Sequence, residues 1–204
     1  PGAPPAFAPG PWVRDLGLSP RSQAEAQEKY RQDICSPTSL AMVLEFWGLK
    51  RKTEEVALAA QDRGSQLFGN WPANAAYASA LGLEAHVARL ESLTELEHEV
   101  AQGRPVIVSV TFGAGELPGA PINKTNGHVM VVGGFTAEGD VIAYDPAGKS
   151  RAQVRRVYAR ADFHKVWRVK KRGLAYLIAK TLPRRLSVGV PVSDLWSKPV
   201  RRVA

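Results

Sequence analysis

Among the groups able to do nucleophilic chemistry, this 204-residue chain has one cysteine, Cys35, and four histidines. Cys35 opens the stretch Cys35-Ser36-Pro37-Thr38-Ser39-Leu40-Ala41-Met42-Val43-Leu44-Glu45-Phe46-Trp47-Gly48. Pro37 suits a first helical turn, where a missing N–H costs nothing. Leu40, Val43, Leu44 and Trp47 follow the i, i+3, i+4, i+7 spacing of a buried stripe, and Gly48 is a stop. Cys35 is therefore expected at a helix N-terminus. Orphan backbone N–H groups and the positive end of the helix dipole there favour a thiolate, the form that attacks carbonyl carbon. The plain alternative is a small buried hydrophobe.

A cysteine nucleophile needs a base to take its proton and a third group to hold that base in the right tautomer. His86 lies on an expected strand without polar company, and His98 sits among Glu95, Glu97 and Glu99 on a helix face; both read as surface residues. Gln102 stands where a zinc-protease motif after His98-Glu99 would need a second histidine. His164, beside Lys165, reads as structural. His128 differs, because it follows Gly127 at the exit of a long loop and opens the strand Val129-Met130-Val131-Val132. Asp145 ends the next strand, which the turn Thr136-Ala137-Glu138-Gly139 brings back alongside. An antiparallel hairpin sets the start of one strand beside the end of the other, so His128 and Asp145 are expected to be neighbours, base and orienter. The alternative is a histidine capping a strand and an aspartate opening an Asp-Pro turn.

The elements that must position these groups fall in two blocks. Ser22 to Arg31 is polar with helical propensity; helices are then expected at Cys35, over Thr53–Arg63 with Thr53 as N-cap, over Ala73–Leu81, and from Leu93 to Ala101 after a strand Ala85–Leu90. From Pro105 the period changes to that of strands: Pro105–Thr111, Gly127–Phe135, Asp140–Tyr144, Val154–Tyr158 and Leu174–Ala179, with a short helix Ala161–Val166. Helices first and antiparallel strands second is an α+β order, with the cysteine helix packed on a C-terminal antiparallel sheet. Gly113–Asn126 is a long loop of the kind that often carries function, and Asn70, Trp71 and Gly127 are candidate substrate-binding residues beside it.

Residues 1–11 hold five prolines and read as a linker or trimmed leader, residues 12–180 as the domain, and 181–204 as a basic tail. The sequence begins at Pro1 without methionine, so an upstream segment is expected to have been removed. Residues 151–204 carry 15 Lys and Arg against two acids, whereas residues 1–150 carry 12 basic and 17 acidic residues. The net charge of +8 thus belongs to the C-terminal quarter, which could meet an anionic surface. No nucleic-acid motif accompanies it, no apolar run reaches the roughly 18 residues of a membrane span, and no ligand spacing points to a metal or other cofactor. A monomer is expected.

A cysteine on an early helix, then a histidine and an aspartate on paired strands, is the papain-like order of parts. Cys35-Ser36-Pro37-Thr38-Ser39 with Trp47-Gly48 resembles the nucleophile helix of bacterial peptidases related to the bacteriocin-processing, double-glycine leader peptidases. Gly127-His128-Val129 with Gly133-Gly134-Phe135 resembles their histidine strand, and Gly139-Asp140-Val141 with Tyr144-Asp145-Pro146 their aspartate strand. Gly69-Asn70-Trp71-Pro72 and Arg104-Pro105-Val106-Ile107 are similar to segments of the stand-alone, exported members, so export is implied. The resemblance covers about residues 20–180 and implies a papain-like fold, a peptide or protein substrate, and a Cys35, His128, Asp145 triad working through a thioester. It also implies a glutamine whose amide joins the Cys35 backbone N–H in an oxyanion hole. Position 29, the usual place six residues upstream, is Lys29, which leaves Gln23, Gln27 and Gln32. Arg21-Ser22-Gln23 matches the family's glutamine motif best, with an insertion before the cysteine. Ser36 stands where leader peptidases usually have glycine, and no ATP-binding loop accompanies the chain. The competing reading is a catalytically silent module that binds a peptide or cell-envelope ligand.

Overall fold

The computed structural model describes residues 10–180. In chain order they form β1 (Arg14–Asp15), a 3-10 turn (Gln23–Glu25), α1 (Cys35–Phe46), α2 (Thr53–Ala60), α3 (Trp71–Ala80), β2 (Leu83–Arg89), α4 (Leu93–Ala101), β3 (Val106–Phe112), β4 (Thr125–Phe135) and β5 (Val141–Tyr144). A second 3-10 turn (Arg151–Gln153) leads to β6 (Arg155–Tyr158), α5 (Arg160–His164), a π-helical turn (Lys165–Val169) and β7 (Leu174–Lys180). The strands make one antiparallel sheet in the order β2-β7-β3-β4-β5-β6, with β1 paired to the C-terminal end of β4. This is the α+β arrangement of helices followed by an antiparallel sheet. The expected linker, apart from Gly10 and Pro11, and the basic tail lie outside the described residues.

Both faces of the sheet are covered. Ile107, Val129, Val131, Ile142, Tyr144 and Tyr176 pack with Leu40, Val43 and Leu44 of α1 and with Val56 and Ala78. Val106, Val108, Val110, Met130, Val132 and Ala143 pack with Leu96 and Val100 of α4 and with Phe163 and Trp167. Burial on both sides explains why β3 and β4 read as unbroken apolar runs although their pairing is antiparallel. Each fully buried aliphatic side chain contributes roughly 1.5–3 kcal/mol.

Four local expectations are corrected. Ser22–Arg31 forms only the three-residue turn Gln23–Glu25, and residues 28–33 are turns rather than helix. Lys52, not Thr53, caps α2, with the Glu55 carboxylate accepting from its backbone N–H (3.2 Å). The helix ends at Ala60 because Asp62 draws the Gly64 N–H (3.0 Å) and the Ser65 hydroxyl (2.6 Å) into a tight turn. α3 begins at Trp71, two residues early, because the Asn70 side chain accepts from the Ala73 N–H (3.1 Å) and Pro72 fits the first turn.

One irregularity places the site. The β4–β5 register pairs Phe135 with Val141 and Gly134 with Ile142, then slips by one residue so that Val131 faces Tyr144. The extra residue is Gly133. Side chains alternate between faces, so a slip of one residue moves everything beyond it to the other face. Without the bulge, His128 and Asp145 would point to opposite faces; with it they share the face of Met130 and Ala143. A Cβ on Gly133 would stand 2.7 Å from the Tyr144 ring and 2.9 Å from Leu18. Tyr144 has no room to swing aside, since its hydroxyl donates to Asp15 (2.7 Å). Gly133→Ala is therefore expected to lower stability by about 1–3 kcal/mol, read from urea unfolding. A change below about 0.5 kcal/mol, the size of an ordinary surface substitution, would contradict this role for the bulge.

Candidate active site

Helix α1 starts at Cys35, with Ile34 as an N-cap that offers no side-chain acceptor. The first helical bond runs from the Thr38 N–H to the Ile34 carbonyl (2.9 Å), so the Cys35 N–H has no acceptor within the helix. The helix start is fixed from beneath. Ser36 is fully buried and its hydroxyl meets Asn74 Oδ1 (3.2 Å) and the Tyr176 hydroxyl (3.1 Å). Asn74 Nδ2 in turn donates to the carbonyls of Phe68 and Asn70 (both 2.8 Å). One turn on, the Ser39 hydroxyl donates to the Val129 carbonyl (3.3 Å) and ties α1 to β4, the strand that carries His128.

His128 and Asp145 meet as the hairpin argument requires. His128 Nε2 lies 2.7 Å from Asp145 Oδ1, with both residues buried. The same Oδ1 accepts from the Ala147 N–H (2.9 Å), and Oδ2 accepts from the Tyr158 hydroxyl (2.9 Å). Burial alone would lower the affinity of His128 for its proton. The Asp145 charge and hydrogen bond outweigh burial, and the Cys35 side chain adds a hydrogen bond and its charge, so the imidazole is pushed up to about 10. Burial would raise the Asp145 carboxyl, but the His128 charge and bond, with the Ala147 and Tyr158 donors, hold it below its ordinary value. Burial first, then the Asp145 charge, pushes Tyr158 up, which keeps it a donor. With Nε2 committed to Asp145, the ring nitrogen left for Cys35 is Nδ1.

Gln23 comes to the same corner. Its backbone N–H donates to the carbonyl of Pro146, the residue after Asp145 (2.9 Å), while Ser22 binds the Gly148 carbonyl through its hydroxyl. Gln23 Nε2 donates to the Arg31 carbonyl (2.7 Å), and its Oε1 is buried without a partner. Gln27 and Gln32 are exposed. Asn70 spends its side chain on the α3 cap and on Asp62 (2.9 Å), whereas Trp71 is half-buried against the same apolar cluster as Cys35. Gly127 is exposed beside His128. His86, His98 and His164 are exposed and stand apart from this corner. A cavity of about 740 Å3 between Arg21, Glu45 and Lys50 includes none of Cys35, His128 and Asp145. Among the described residues no group of His, Cys, Asp and Glu could hold a metal, and no helix is long and apolar enough to cross a membrane.

Sequence reasoning missed Ser36, Asn74, Tyr158 and Tyr176 as supports of this corner. Tyr158 sits on a strand expected from sequence, but its partner depends on a β5–β6 register that no motif encodes.

The opposite shifts of His128 and Asp145 predict a pH dependence. A histidine whose folded value is raised contributes stability fully present below its ordinary value of 6.5, and lost as pH rises toward about 10. A lowered aspartate contributes above its ordinary 3.8 and loses that contribution on acidification. Unfolding free energy should therefore decline between about pH 6.5 and 10 in the wild type, and Asp145→Asn should flatten this decline. Equal slopes in the two proteins, measured by denaturant unfolding, would contradict the charged pair.

The comparisons with known proteins agree with this architecture. A double-glycine-motif protease from an AMS/PCAT transporter, solved with its leader peptide, matches with 21% identity over 82% of this chain and 94% of that one, at a TM-score of 0.55. A putative C39-like peptidase from Bacillus anthracis matches with 20% identity over 81% and 96%, at a TM-score of 0.59. The peptidase domain of Streptococcus ComA, a bifunctional ABC transporter, matches with 16% identity over 81% and 100%, at a TM-score of 0.54. At such identities these structures establish the shared fold. No curated protein matches the chain. The model of the Peptidase_C39-like family matches residues 16–174, most of the chain, and the protein belongs to that family.

Proposed function

We propose that the chain is a cysteine-dependent hydrolase that cleaves a peptide or related amide bond with Cys35, His128 and Asp145. The observation that carries this reading is the buried His128–Asp145 bond of 2.7 Å, with the Cys35 side chain among the groups that raise the same imidazole. The Cys35 proton rests on His128 before substrate binds, so the ring is an imidazolium when the sulfur attacks the scissile carbonyl. The tetrahedral oxyanion faces the free Cys35 N–H at the start of α1 and the Gln23 amide. As it collapses, the C–N bond breaks, the imidazolium gives its proton to the leaving amine, and a thioester remains on Cys35. Water then attacks the thioester with His128 as base, which releases the acid and restores the thiol. Asp145 stays ionised throughout and holds the ring.

The solved relative bound to a leader peptide supports a peptide as substrate class. The exported location implied by the family resemblance belongs to the same proposal, and fractionation of the natural host tests it. One observation favours the silent-module reading: Gln23 Nε2 already donates to Arg31. An amide nitrogen carries two N–H groups, so one remains for an oxyanion.

Two measurements separate the readings. Cys35 is expected to react with iodoacetamide at about pH 6 at least tenfold faster than a free thiol, and His128→Ala should abolish that advantage. Gln23→Ala should leave this alkylation intact while lowering kcat by about 100-fold to 1000-fold, the loss typical of one oxyanion donor. Alkylation no faster than a free thiol would overturn the hydrolase reading, and an unaltered kcat in Gln23→Ala would remove Gln23 from it.

A further inference from the structure

A second feature adjoins His128. The ends of β3 and β4 enclose a cavity of about 570 Å3, lined by Lys124, Thr125 and Asn126 just upstream of Gly127-His128 and by Lys170 across from them. Lys171 stands just outside this lining, next to Asn126: a Cβ on Gly127 would lie 3.7 Å from its ammonium nitrogen. The chain brings these lysines here by a sharp turn. Arg172 (φ 53°) and Gly173 (φ 64°) are both left-handed, and Gly173 is pressed so close to the Leu90 carbonyl that its Cβ would stand 1.8 Å from that oxygen. The turn therefore has a fixed course and presents Lys170-Lys171 beside the start of β4.

The charge of this wall is cancelled only at Lys170. Glu116 is the carboxylate at its edge, and it is shared by Lys165 (3.1 Å) and Lys170 and bonded to the Gly113 N–H (2.6 Å). Its lowered value, about 2, comes first from Lys170 and then from the Gly113 N–H and Lys165. Neither Lys124 nor Lys171 has a carboxylate within ion-pair distance among the described residues. Arg89 adds positive charge behind them, donating to the carbonyls of Lys171 (3.0 Å) and Arg172 (3.2 Å).

Position gives this charge a meaning. In the proposed mechanism His128 protonates the departing amine, so the leaving segment must lie on the imidazole side of the sulfur. The cavity opens beside the first residues of β4, the strand that carries the imidazole. Resting on the hydrolase reading above, we infer that Lys124, Lys170 and Lys171 form a subsite for a carboxylate in the first few residues of the leaving segment. Two sources supply that carboxylate: an Asp or Glu side chain, or the C-terminus of a short leaving segment.

A peptide library of mixed sequence, digested at low salt and analysed by mass spectrometry, tests the subsite without a known substrate. Released fragments should be enriched at least about threefold in Asp and Glu within their first three residues, or be only a few residues long. Amidating the library C-termini separates the sources, because side-chain selection survives and terminal selection is lost. Lys124→Glu/Lys171→Glu should abolish or reverse the preference. Released fragments of library composition, or a double variant with the wild-type preference, would overturn the subsite while leaving the hydrolase reading in place. If nothing is cut, the hydrolase reading fails and the charge of the cavity is read from alkylation. The ratio of iodoacetate to iodoacetamide rates at Cys35 should then fall at least about fivefold in the double variant at low ionic strength, and an unchanged ratio overturns the subsite.

Discussion

The structure depends on one buried contact, the bond between the His128 imidazole and the Asp145 carboxylate. Neither group is stable in that place alone. A carboxylate with no exposed surface needs donors on both oxygens, and a buried imidazole keeps its proton only beside a fixed negative charge. Asp145 receives His128 and Ala147 on one oxygen and Tyr158 on the other, so its charge is compensated by three donors from separate segments. The cost of burying this pair is offset only if β4, β5 and β6 are in register. The site and the sheet therefore specify each other.

Two devices bring the cysteine to that pair. The first is the bulge at Gly133, which moves His128 to the face occupied by Asp145. The second is the buried group under the helix start, where Ser36, Asn74 and Tyr176 satisfy one another and Ser39 reaches the Val129 carbonyl. Leader peptidases of this type usually place glycine after the nucleophile. Here the serine is a polar anchor, and its hydroxyl would be an orphan donor without Asn74 and Tyr176. The segment ahead of Cys35 has a similar logic: it folds back so that the Arg31 carbonyl holds the Gln23 amide, and Gln23 stays beside Pro146 although it is twelve residues from Cys35 in sequence.

Much of this was legible in the sequence because the informative residues act locally or through a short hairpin. The start of α1 at Cys35 follows from Pro37 and the apolar stripe, and the nearness of His128 to Asp145 from a turn of a few residues. The facing of those two side chains was not legible, because it turns on a single bulged glycine in a strand that contains three. Asn70 was expected to line a groove, and its side chain instead caps α3 and bonds to Asp62, a role that only the true start of that helix reveals. Tyr158 and Tyr176 read as ordinary strand aromatics. Their hydroxyls matter through contacts across 13 and 140 residues of chain, and no local pattern encodes such contacts.

The charged state of the His128–Asp145 pair is the center of the account, and a histidine NMR titration reads it directly. With the ring nitrogens labelled, His128 is expected to remain doubly protonated at about pH 8, well beyond the ordinary histidine range, and to revert toward that range in Asp145→Asn. A His128 ring that titrates near 6.5 in the wild type would contradict the account, because the buried carboxylate would then not be holding its proton.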